Sequence, residues 1–128
     1  MSKRGNCKRF ASETLAENVA RALWEYMRNE LDDNGNTPYG HAWLEIEIEW
    51  EKSSSCLGQV KHYFFNITHD AILFNGQTLA EQMLITVELQ KQSETSSWVA
   101  VVASAASTHY YCIPQPHGHY SFKLCPHQ

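Results

Sequence analysis

Between Ser12 and Leu31 the apolar residues Leu15, Val19, Ala22, Leu23, Tyr26, Met27 and Leu31 recur at steps of three and four, the spacing that gathers side chains into one stripe of an α-helix. A helix with a single dry stripe has to lay it on another apolar surface, so the rest of the chain must supply one. The opposite stripe carries Glu17, Arg21, Glu25, Arg28 and Asp32, whose alternating signs at helical spacing make ordinary solvent-facing pairs. Ser12 or Thr14 is placed to cap the start, with Glu17 completing a capping box after Thr14. The run Asp32-Asp33-Asn34-Gly35-Asn36 supplies the stop through a left-handed Gly or Asn.

After the turn-rich stretch through Pro38 and Gly40 the period changes from helical to two. Ala42, Leu44, Ile46, Ile48 and Trp50 alternate with His41, Trp43, Glu45, Glu47, Glu49 and Glu51, which predicts a strand with one dry and one wet face. Residues 52–58 read as a loop, and Val60 to Thr68 as a returning strand with Tyr63, Phe64 and Phe65 spread over both faces. Asn75-Gly76 signals a tight hairpin turn, although Thr78-Leu79-Ala80-Glu81 equally permits one helical turn. Met83, Ile85, Val87 and Leu89 mark a further strand, Trp98 to Ala106 a more fully buried one, and Tyr110 to Leu124 a final hairpin with an irregular Pro- and Gly-containing tip.

The pattern predicts an α+β fold: an N-terminal amphipathic helix packed on an antiparallel sheet of about five or six strands, arranged as a roll or two-layer sandwich. In element order alone it resembles cystatin-like rolls and related α+β sandwiches, with no shared motif. A chain of 128 residues with 43% apolar and 12% aromatic side chains has enough core for one domain, residues 1–128, preceded by a flexible basic arm over residues 1–11. Four tryptophans, five phenylalanines and six tyrosines exclude a largely disordered chain.

The basic residues Lys3, Arg4, Lys8 and Arg9 are not followed by the apolar run that an export signal needs, and no apolar stretch reaches membrane-spanning length. The expectation is a cytoplasmic protein that does not enter a membrane. Cys7, Cys56, Cys112 and Cys125 contain no CxxC pair and are expected as free thiols, and the sequon Asn66-Ile67-Thr68 as a chance match. A net charge of −4 argues against direct nucleic-acid binding, which relies on a basic face.

Two clusters carry chemistry. Glu45, Glu47, Glu49 and Glu51 form an acidic row on one strand beside Trp43, a surface that suits a basic protein partner and gains speed and selectivity from charge complementarity. The bland alternative is a strand whose charges discourage edge aggregation. The second cluster is His109, Cys112, His117, His119 and Cys125, to which His127 adds a sixth; their side-chain types suit zinc, while the spacing matches no finger or ribbon. For nucleophilic catalysis, Cys112, His109 and Asp70 can be named, without any supporting motif.

The leading reading is a small acidic, non-enzymatic binding protein, for instance an inhibitor of the phage counter-defence or immunity type, acting on a protein partner through the acidic strand. The alternatives are a metal-dependent or histidine-using enzyme built on the C-terminal cluster, and a carrier holding a small-molecule ligand between helix and sheet, lined by Tyr63, Phe65, Tyr110 and Tyr120. The oligomeric state is left open by the sequence.

Overall fold

The computed structural model describes residues 9–30, 42–72 and 75–126, with residues 9–10, 42–57 and 71–72 described in their backbone only. Helix α1 spans Arg9–Arg28. It is followed by β1 (Ala42–Leu57), β2 (Val60–Ile72), β3 (Thr78–Gln90), β4 (Val99–Ala105), β5 (Thr108–Pro114) and β6 (Tyr120–Leu124). The six strands form one antiparallel sheet in sequence order, β1 to β6, so each strand pairs with its chain neighbours in a meander.

The helix starts at Arg9, three residues before Ser12, and takes in the end of the basic arm. Ser12 is therefore not its cap. It lies in the first turns, fully buried, for a tertiary reason: Lys61 Nζ donates to its Oγ at 3.0 Å, and the Oγ is 2.9 Å from the Tyr63 hydroxyl. The segment expected to stop the helix, Asp32 to Asn36, lies outside the described residues. On the solvent side the expected pairs form, Arg21 to Glu17 at 3.1 Å and Arg28 to Glu25 at 3.6 Å.

α1 packs against β2, β3, β4 and β6, all on one face of the sheet. Its buried residues Ala16, Val19, Ala20, Leu23, Trp24 and Met27 meet Tyr63, Phe65 and Ile67 of β2, Ile85, Val87 and Leu89 of β3, and Tyr110, Cys112 and Phe122 of the last hairpin. On β4 the positions beneath the helix are Ala100, Ala103 and Ala105, small residues that leave room for the large side chains of α1. Strand alternation then sends the even residues of β2 and β3 to the opposite face. β4 follows the same rule: Val102 and Ser104 are half-buried and Val99 is exposed, so it is one-sided rather than the fully buried strand its apolar run suggested.

At residues 75–77 the hairpin signal prevails over the capping box, because Thr78 to Glu81 pair with β2 as strand. Gly76 takes φ +86°, and Asn75 Oδ1 accepts the Gln77 N–H at 3.0 Å. The residues read as a loop, 52–57, continue β1 instead and pair with Val60 to Phe65. Between Leu44 and Glu49 the β1–β2 ladder changes register, since Leu44 stands opposite Asp70 and Glu49 opposite Thr68. The extra residues are odd in number, so the unbroken alternation read from Ala42 to Trp50 is interrupted in the ladder.

Candidate binding face

One face of the sheet carries α1. The other is covered by no described element, and its composition follows from register. One row across it runs His62, Glu88, Val102, Tyr111 and Lys123; the next runs Phe64, Thr86, Ser104 and His109. Of the six large apolar side chains that are exposed among the described residues, four belong to this face: Leu84 at 52%, Val99 at 46%, Tyr111 at 44% and Ile113 at 37%. Phe64 and Val102 are half-buried beside them. A strand whose neighbours Tyr110 and Cys112 are buried has no local reason to place Tyr and Ile at the alternate positions.

The polar groups of this face are organised around Glu88. His62 Nε2 lies 3.3 Å from Glu88 Oε1, and Gln90 Nε2 donates to the other carboxylate oxygen. His62 also lies beside the Phe64 ring, with centroids 6.3 Å apart. Near the β4–β5 turn a groove of about 690 Å³ opens, walled by Val102, Tyr111, Leu124 and Pro126, with Ser107 and His109 supplying hydrogen-bonding groups. The turn itself holds Ala106 and Ser107 at positive φ, 49° and 69°.

The acidic strand β1 is the sheet edge next to this face. Glu49 and Glu51 take register positions opposite Thr68 and Asn66, in the rows of the uncovered face, whereas Trp43 is opposite Ala71, in the alternate row. Glu45 and Glu47 fall within the irregular stretch between the two registers. The side chains of all five of these predicted binding residues lie outside the description.

The predicted zinc cluster is divided among three places. Cys112 is buried on the helix side of β5, His109 is exposed on the other side near Cys125, and His117 and His119 belong to the exposed tip at the far end of the hairpin. His109 and the tip are separated by the length of β5, roughly 17 Å at 3.3 Å per residue. Among the described residues no three His, Cys, Asp or Glu side chains come together as a metal site, and His127 is not described. Burial, with a smaller contribution from Cys125, pushes the Cys112 thiol up to about 12, which keeps it protonated at neutral pH. Asp70, on β2, is three strand spacings from β5, roughly 14 Å, so the Cys112, His109 and Asp70 triple is not assembled.

The aromatics expected to line a ligand cavity pack into the core. Tyr63 stacks on Phe65 at 6.2 Å, Tyr110 meets the edge of Tyr26 at 5.8 Å, and Tyr120 is half-buried against the same cluster. No helix among the described residues is long and apolar enough to cross a membrane. Comparison with protein-family models, with curated proteins and with solved structures finds no match, so the reading of this face rests on its own residues.

Proposed function

We propose that this chain is a binding protein that seats a protein partner on the helix-free face of its sheet, in the manner of an inhibitor that occludes another protein. The observation that carries the reading is the concentration of exposed Leu84, Val99, Tyr111 and Ile113 on that one face, an arrangement that marks interaction sites. Tyr111 suits the role of anchor, since a Tyr combines apolar area with a polar tip at low entropic cost. The edge strand β1 carries Glu45, Glu47, Glu49 and Glu51 in its sequence, and an acidic edge strand favours a partner with a basic border.

The test is affinity capture from extracts of the source cells, with the native chain compared to Tyr111→Ala and to a variant carrying Glu45, Glu47 and Glu49 as Gln. The native chain should retain one partner that Tyr111→Ala loses. The acid-to-amide variant should retain it with slower association and a weaker dependence on salt. Equal recovery by all three proteins would remove both the face and the acidic edge strand from the account.

A second reading has one observation in its favour, the groove near the β4–β5 turn, whose lining of about 690 Å³ contains no Asp, Glu, Lys or Arg and therefore suits an uncharged small molecule. A panel of neutral aromatic fragments that leaves the thermal midpoint unmoved would dismiss it.

A further inference from the structure

The sheet has a step in it. β3 runs for 13 residues but β4 for only 7, and β4 pairs with β3 from Ile85 to Gln90 alone. From Thr78 to Leu84, β3 is paired with β2 on one side and, among the described residues, meets no strand on the other. This half-strand is roughly 23 Å long at 3.3 Å per residue, and along it alternate N–H and C=O groups are directed away from β2.

Among the described residues the edge lacks the usual protection against pairing. It carries no Pro, Lys or Arg, and Glu81 is its one charged residue. It is also beyond the cover of α1: Leu79 is 48% exposed on the helix side, Leu84 is 52% exposed on the other, and Thr78, Ala80 and Gln82 are exposed as well.

We propose that a second copy of this chain pairs here, β3 against antiparallel β3, about a two-fold axis perpendicular to the sheet and close to Glu81. The step argues for a copy over a foreign strand, because a notch beside a projecting half-strand is self-complementary: turned through 180°, the projecting half of each β3 enters the notch left by the other copy's short β4. The symmetry keeps faces matched, so residues of the same parity meet. With the axis at Glu81, Leu79 stands beside Met83 of the other copy, which joins apolar side chains on the helix side, and Thr78 stands beside its Leu84 on the opposite face. The two Glu81 residues are the one like-charge meeting. Both helices come to lie on the same side of the joined sheet, and Tyr111 and Ile113, out on β5, stay clear of the junction.

Sedimentation velocity of the full chain from micromolar to millimolar concentration tests this. The native chain should be a dimer over the upper part of that range. Leu79→Lys and Leu84→Lys, made separately because they change opposite faces, should each raise the dimer dissociation constant by about tenfold or more, while circular dichroism and the thermal midpoint of dilute protein stay unchanged. Gln82→Lys, at an exposed position, serves if either lysine variant fails to fold. A chain that is monomeric throughout, or a dimer indifferent to the lysine substitutions, would overturn the pairing.

Discussion

Lys61 shows how a single residue links the helix to the sheet. It is 1% exposed on β2, donates to Ser12 Oγ and lies 4.9 Å from the centre of the Tyr63 ring. A hydroxyl placed at the start of an amphipathic helix reads as a cap, because caps are what such residues most often do. Here the alternation of β2 carries Lys61 to the helix side, and the hydroxyl is recruited by the buried ammonium. Ser12→Ala should therefore destabilise the fold by about 1–3 kcal/mol in urea unfolding, since the ammonium and the Tyr63 hydroxyl both lose a buried partner. Cys112 gives a second check at this scale. With its thiol at about 12 against an ordinary 9.0, it should resist alkylation at pH 8 in the folded chain while half-buried Cys125 reacts, as mass mapping of labelled peptides would read. The same shift makes stability depend on pH. As pH rises through 9 the unfolded thiol loses its proton while the folded one keeps it, so stability present below pH 9 is lost between 9 and about 12. Tyr26, also raised, by burial first and then by Glu30, adds to the loss above its ordinary 10.0. The urea midpoint should therefore fall over that alkaline window.

At the scale of elements, α1 was the most legible part of the chain because its period is long and its faces differ sharply in polarity. The residues predicted for the stripe, Val19, Leu23 and Met27, are buried, and Leu15, Ala22 and Tyr26 border them. Trp24 was not placed in the stripe, yet it is 1% exposed and packs on His69 with ring centroids 4.8 Å apart. The sheet buries a broader arc of the helix than a narrow seam would, Ala16, Val19, Ala20, Leu23, Trp24 and Met27 together. Leu23→Ala should cost about 2–5 kcal/mol in chemical unfolding, whereas Glu17→Ala, which removes the solvent-side pair with Arg21, should cost no more than about 1. The β2–β3 turn was ambiguous by local rules because both a hairpin and a helical turn had their signals within seven residues. Long-range pairing with β2 decided it, and Gly76 carries the consequence. An alanine there meets no neighbouring atom within 4 Å but must hold φ +86°, so Gly76→Ala should lose about 1–2 kcal/mol of stability through the backbone alone.

For the whole molecule, the question the sequence posed was which surface is left over once helix and sheet have met. Reading along β1 pointed to the acidic row of Glu45, Glu47, Glu49 and Glu51, because four like charges at alternate positions are visible in one segment. The face made by Leu84, Val99, Tyr111 and Ile113 could not be read that way, since its members come from three strands and each sits in a segment that looks like core. Ile113→Lys should leave the thermal midpoint close to native, because it is already 37% exposed, while abolishing capture of the partner that the native chain retains. A midpoint lowered as far as that of Leu23→Ala would show instead that this face is part of the core.

The sequence by itself determined the element types, their order and the dry stripes that bring them together, because these follow from periods of 3.6 and 2 within windows of ten or twenty residues. It also determined that the cysteines and histidines near the C-terminus follow no known ligand spacing. Tertiary structure alone decided which of two apolar faces the helix would cover, since a single helix can lie on only one. It decided that the histidines and cysteines fall at opposite ends and on opposite sides of a hairpin, because strand geometry separates what the chain places close together. And it decided that, among the described residues, half of β3 meets a strand on one side only, because strand lengths are set by pairing with neighbours and β4 ends seven residues short.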